Sequence, residues 1–210
     1  RIGLSATLGD MTIAAEYLRP GFGSDVIPIV SKSSSQELRL LLKGYLRRES
    51  KYVPLESEEI DTFQSESGNS EIEICDSLFK ILRGTNNLVF SNTRKGVEKY
   101  TDMLREISEH NRVPNSFWPH HGSLSKELRE TAEKAIKDKT RPVNIVCTST
   151  LELGIDIGAV DSIVQIGVPP SVASMRQRLG RSGRKEGKPA VLRLYIEEDE
   201  ITDKTNPIDL

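Results

Sequence analysis

Cysteine is nearly absent: Cys75 and Cys147 stand alone among 210 residues, far apart and in apolar settings. Such a pair reads as two reduced, buried thiols of a cytosolic protein. Long apolar runs are missing too. No stretch approaches the ~18 residues that a membrane span needs. There is no excess of one charge: 29 basic and 31 acidic residues leave a formal net charge of -2. A global basic field is thereby excluded, and any contact with nucleic acid must be local, made by a strip of arginines, hydroxyls or backbone amides. The opening "RIGLSATLGD" has no initiator methionine and no signal-peptide pattern, so the expectation is an excised segment of a longer polypeptide. Internal repeats are absent. What is present suffices for a core: 36% hydrophobic and 29% charged residues, in a length that suits one domain or one domain plus pieces of a neighbour.

After residue 70 the chain alternates strands and helices. "NNLVFSNT" is a short apolar run that ends in capping residues. "RKGVEKYTDMLREISEH" places Val97, Tyr100, Leu104 and Ile107 at helical spacing. "NSFWPHHG" suggests a strand and turn, and "SLSKELRETAEKAIKDK" a helix with Leu128, Ala132, Ala135 and Ile136 on one face. "RPVNIVCTST" and "VDSIVQIG" are buried-type strands; "SVASMRQRLGRSGR" is a helix that starts after Pro169-Pro170; "KPAVLRLYIEED" is a last strand. This order predicts an α/β fold, a parallel sheet in three layers with helices on both faces. Upstream, residues 1–21 read as a strand, a turn and a helix stopped by Pro20-Gly21, and "SDVIPIV" as an extended crossing. "ELRLLLKGYLRR" fits a helix through Leu38, Leu41, Leu42 and Tyr45, and a strand equally well through Leu38, Leu40 and Leu42. "ESEEIDTFQSESGNSE" is acidic and serine-rich and reads as a mobile loop.

Four constellations carry chemistry. In "RQRLGRSGRKEG", Gln177, Arg181 and Arg184 fall at i, i+4 and i+7, with Gly180 and Gly183 beside the arginines. On one helix these side chains share a face. An arbitrary helix would leave them solvated. The glycines, which weaken a helix by roughly 1 kcal/mol each, favour close approach of another surface, and the arginine fork suits a polyphosphate at a domain cleft. In "STLELGIDIGAVD", Gly154 and Gly158 flank Asp156 just after a buried strand. That carboxylate can take a ribose hydroxyl or merely hold a turn. In "FSNTRKG", Ser91, Asn92 and Thr93 open a helix where a backbone phosphate could sit, though such residues often only cap. In "HHGSLS", His120 and His121 lack a third ligand at metal spacing, so no metal is expected. Trp118 is expected to pack rather than to stack on a base. "GRKEGKPA" mimics a P-loop with the wrong glycine spacing and Pro189 in place of a hydroxyl residue. "YIEEDE" mimics a Mg²⁺-holding acidic box with no phosphate cradle near it, and reads as a solvated strand end.

Taken in order, these segments resemble the C-terminal half of a superfamily 2 ATP-dependent helicase of the DEAD/DEAH-box kind, nearest to the large helicase-related (Lhr-like) group. "SATL" matches motif III, "LVFSNTRKGVE" motif IV, "HHGSLSKELRE" the segment after it, "VCTSTLELGIDIGAVD" motif V and "QRLGRSGR" motif VI. The resemblance implies a RecA-like fold. It divides the chain into the end of a first RecA-like domain (1–24), a crossing segment and family-specific insert (25–85), the core of a second RecA-like domain (86–200) and the start of a linker (201–210). It implies arginine fingers at Arg181 and Arg184, with Gln177 on the same ATP site. It implies ATP contacts at Asp156, Gly154, Gly180 and Gly183, and coupling through Ser5 and Thr7. Nucleic-acid backbone would be met by Ser91, Asn92, Thr93, Gly122, Thr148 and Ser149. The P-loop and acidic box do not occur in this chain, so ATP and Mg²⁺ are expected to be held by the first domain of the same polypeptide, and the isolated segment is expected to be inactive and to bind neither tightly. DNA is the favoured partner, RNA is not excluded, no membrane is involved, and the location is cytoplasmic. The same motifs also serve duplex translocases that do not separate strands. A non-catalytic doubly wound nucleotide- or protein-binding domain is the third alternative.

Overall fold

The structure is a computed structural model that describes residues 2–3, 10–30, 37–47, 69–152, 157–183 and 187–199. Ser5, Thr7, Gly154, Asp156, Arg184, most of the opening strand, nearly all of the acidic serine-rich stretch and residues 201–210 lie outside the described residues.

The centre of the molecule is built from strands β2 (Asn87–Ser91), β4 (Asn144–Cys147) and β5 (Ser162–Ile166), each buried along its whole length. They show no polar alternation, because a parallel strand covered on both faces has no solvent side. Val89 of β2 lies between Val146 and Val164. With β3 (Phe117–His120), β6 (Ala190–Asp199) and β1 (Leu38–Arg47) they form a six-stranded sheet in the order β1-β6-β5-β2-β4-β3, every pairing parallel.

Helices cover both faces. On one face α2 (Asn69–Leu82) and α3 (Arg94–His110) bury Ile74, Cys75, Leu78, Leu82, Val97, Tyr100 and Leu104 against Val89, Val146 and Val164. A Lys99–Glu71 ion pair ties the two helices together. On the other face α4 (Lys126–Asp138) and α5 (Val172–Leu179) cover Leu88, Phe90, Ile145, Ile163 and Leu192. The expected apolar face of α4 holds at Ala132 and Ile136, but Leu128 is 55% exposed. The helix has 13 residues and the strand beneath it four. At 1.5 and 3.3 Å per residue, that is about 20 Å of helix over about 13 Å of strand, so the first turn overhangs. Trp118 packs half-buried against this second core. Both cysteines are buried, and burial pushes both thiols up, away from reactive thiolate.

"ELRLLLKGYLRR" is a strand. β1 runs beside β6 for ten residue pairs, Leu38 opposite Ala190 through Arg47 opposite Asp199. Tyr45 stacks on Tyr195 at 5.9 Å, and Lys43 donates to Ser77 at 2.9 Å. Arg47 lies 3.2 Å from Asp199 and 3.8 Å from Glu197, so the carboxylates of "YIEEDE" end the strand beside a cation. β1 is the edge of the sheet, and its Leu40 and Leu42 are exposed. Both β1 and α2 lie before residue 86, and both belong to the layered unit. The preceding helix α1 (Met11–Leu18) is capped by Asp10, whose carboxylate accepts from the amides of Thr12 and Ile13, which hold its pKa down. None of the residues of α1 is buried.

Candidate functional site

Because the strands are parallel and β2, β4 and β3 are neighbours, their carboxyl ends lie side by side. That edge gathers Ser91 at the end of β2, Asn92 and Thr93 just past it, Gly122 after β3, and Thr148 and Ser149 after β4. The edge is braced from below. The Thr148 amide donates to the His120 carbonyl at 3.2 Å. The buried His120 ring spans Thr150 Oγ1 at 2.8 Å and Glu133 Oε1 at 3.0 Å, and the His121 ring lies 3.1 Å from Glu98. His120 thus ties its loop to α4, and His121 Nδ1 accepts from the Ser123 amide at 3.3 Å. Among the described residues no group of three or more His, Cys, Asp or Glu could hold a metal.

Thr93 caps α3, its hydroxyl oxygen accepting from the Gly96 amide at 3.0 Å. Ser91 is buried, and a Cβ at Gly96 would come within 2.4 Å of its Oγ and 3.0 Å of Thr93 Oγ1. Glycine is what allows the first turn of α3 to sit on the end of β2. Gly96→Ala is expected to cost about 1–3 kcal/mol, the range for overpacking a tight site. A lowered thermal transition of the domain is the measurement; an unchanged one would mean that Ser91 simply rotates aside. Gly122 differs, since a Cβ there would meet nothing within 4 Å.

Gln177 and Arg181 of "RQRLGRSGR" do not share a helix. α5 stops at Leu179, and Gly180 caps it, its amide donating to Arg176 O at 3.0 Å. Gly183 then takes a φ of 69°, which turns the chain out of the helical path. Gln177 lies in the helix. Arg181 is in the following turn, 8% exposed, and its Nη2 donates to the Glu152 carbonyl at 3.2 Å. Its own carbonyl accepts from Val160 N at 3.1 Å, and Ser182 pairs with Val160. The glycines therefore have different reasons: Gly183 serves the backbone, whereas Gly180 has an ordinary helical φ of -60° and a Cβ there would meet carbonyls only at 3.4 and 3.5 Å.

The residue that sequence reasoning passes over is Arg178. It is 3% exposed. Its Nε and Nη2 both lie 3.0 Å from Glu152 Oε2, its Nη1 donates to Gln165 Oε1, and its guanidinium lies 4.5 Å over the Phe90 ring. Ser174 Oγ reaches the same glutamate oxygen at 2.8 Å. A buried charge requires this degree of pairing. Its one local sign is Ser174 at i-4. The decisive partners are Glu152 and Gln165, 26 and 13 residues away.

A parallel six-stranded sheet with helices on both faces is an α/β fold of the RecA-like kind. The helicase conserved C-terminal domain family matches residues 70–186. The chain is 30% identical over 190 residues to the ATP-dependent helicase Lhr-Core of Saccharolobus solfataricus, covering 87% of this chain and 19% of that protein. The structure of Mycobacterium smegmatis helicase Lhr bound to ssDNA and AMP-PNP superimposes with a TM-score of 0.57 at 33% identity, over 77% of this chain and 20% of that one. The C-terminal domain of the DEAD-box protein Dbp5 shares the fold, with a TM-score of 0.54 at 16% identity over 78% of each chain. The chain belongs to the helicase conserved C-terminal domain family, in its Lhr-like branch. It spans about a fifth of the length of the Lhr-Core relative.

Proposed function

We propose that this chain is the second motor domain of an ATP-dependent nucleic-acid helicase. In this reading Arg181 and Arg184 reach across a cleft to the γ-phosphate of ATP, with Gln177, Gly154, Asp156, Gly180 and Gly183 around the same nucleotide. The first RecA-like domain of the same polypeptide, to which residues 1–24 with Ser5 and Thr7 belong, holds that ATP with its Mg²⁺. Residues 25–85 carry the crossing and the insert, with β1 and α2 packed onto the second domain; 86–200 supply the rest of that domain, and 201–210 begin a linker. Ser91, Asn92, Thr93, Gly122, Thr148 and Ser149 meet the backbone of a DNA strand. The location is cytoplasmic; no helix among the described residues is long and apolar enough to cross a membrane.

One observation supports this most directly. The short turn from Thr148 to Glu152 begins at the carboxyl edge and ends on the carbonyl that Arg181 grips. A single five-residue element thus joins the proposed strand-binding groups to the proposed finger. Phosphoryl transfer also needs a phosphate cradle, a metal and a positioned water. The isolated 210-residue chain is therefore expected to hydrolyse no ATP above background, and the full-length protein to hydrolyse ATP and displace a DNA strand. Robust hydrolysis by the isolated chain would sink the division of labour. Displacement of a triplex strand without duplex opening would make the protein a translocase instead. Parallel assays on RNA duplexes decide the nucleic acid.

A further inference from the structure

We infer that Gln165, Arg178 and Glu152 form a polarity-locked relay that couples Asn92, at the strand-binding edge, to the placement of Arg181. The inference rests on the function proposed above.

The relay can be followed atom by atom. Arginine has donors only. Arg178 Nη1 therefore fixes the Gln165 amide with its oxygen toward the guanidinium. The Gln165 Nε2 must then point the other way, and it donates to Asn92 Oδ1 at 3.3 Å and to the carbonyls of Ile166 and Gly167 at 2.8 and 3.2 Å. Asn92, presenting its oxygen to Gln165, turns its own Nδ2 to the Val168 carbonyl at 2.8 Å. On the far side Arg178 holds Glu152 through the carboxylate, and the Glu152 carbonyl holds Arg181. Gln165 is 1% exposed and Arg178 3%, so water offers no substitute partners. Gln165 and Arg178 each have one orientation that satisfies the other, and a nucleic-acid phosphate or sugar that reorients the exposed Asn92 withdraws an acceptor from Gln165, a change passed on to Arg178. Glu152 receives it at the end of the turn that Ser149 starts.

These three are positioning residues, since none of them touches substrate in this reading. The test is Gln165→Glu in the full-length protein, with ATP hydrolysis measured in the absence and presence of saturating single-stranded DNA. The replacement keeps the acceptor for Arg178 and nearly the same volume, but sets a carboxylate oxygen against Asn92 Oδ1 and two carbonyls. Hydrolysis without DNA is expected to stay within about twofold of the parent, since Gln165 contacts no ATP group, while stimulation by DNA falls by about tenfold or more, the size of a ~1.4 kcal/mol coupling. Undiminished stimulation overturns the relay; so does an equal loss of basal and stimulated rates, which marks a structural role only. If Q165E does not fold, Gln165→Met is read by the same ratio. Arg181→Ala separates the two readings. Normal hydrolysis by that variant refutes the proposed function, whereas a dead Arg181→Ala beside a normally stimulated Q165E refutes the relay alone.

Discussion

Arg181→Ala in the full-length protein is expected to slow ATP hydrolysis about 10³- to 10⁵-fold, the range for removal of an arginine finger, which is about 4–7 kcal/mol of barrier. Binding of a labelled oligonucleotide should stay within a few-fold, because the carboxyl-edge groups are untouched. The magnitude depends on preorganisation. Arg181 has its main chain fixed by Val160 and one guanidinium nitrogen fixed by the Glu152 carbonyl. A side chain held this way loses little freedom on meeting a phosphate, so its electrostatic contribution is delivered with little reorganisation. Arg181→Lys should recover little, because a point charge cannot hold the carbonyl and a phosphate through one planar fork. Steady-state turnover and anisotropy titrations are the paired measurements. Loss of both together, with a lowered melting transition, would reduce Arg181 to a structural arginine.

Arg178→Ala should destabilise by about 3–5 kcal/mol, the cost of leaving its partner's charge unpaired. Glu152→Ala should cost as much, and it strips partners from Ser174 as well as from Arg178. Hydrogen exchange at the amides of β2 and β5 reads the effect within this domain. Protection should fall by roughly two to four decades, at 1.4 kcal/mol per decade, if these amides exchange through global opening of the domain. An exposed pair such as Arg105–Asp102, with side chains 51% and 48% exposed, offers the contrast. Its loss should cost no more than about 1 kcal/mol, since water screens both charges. Equal effects at the two pairs would mean that burial is not what gives Arg178 its weight.

The layered fold was legible because its signals are local. The fully apolar runs of β2, β4 and β5 and the helical spacing in α3 and α4 need no partner to be recognised. β1 is different. Leucine at 38, 40, 41 and 42 satisfies both periods, and only pairing with β6, about 150 positions on, decides for the strand. The helix α2 is absent from the expected elements although Ile74, Cys75, Leu78 and Leu82 have helical spacing, because an acidic serine-rich run hides its start. The spacing of Gln177 and Arg181 put them on one helix; the cap at Gly180 and the left-handed Gly183 break it. Nothing local distinguishes Arg178 from its neighbours as the buried arginine. Its partners come from a turn and a strand that are near only in the folded chain.

The pairing of β1 with β6 also fixes an order of events during synthesis. Arg47 meets Asp199 across 152 residues. At about 5–20 residues per second, β1 waits roughly 8–30 s for the strand that will cover its flank. Until then "LRLLL" is an unpaired apolar strand on a nascent chain, the kind of segment that invites pairing with the wrong neighbour. The sheet closes on its oldest strand last, so the ribosome exit and the chaperones near it must shelter that strand throughout.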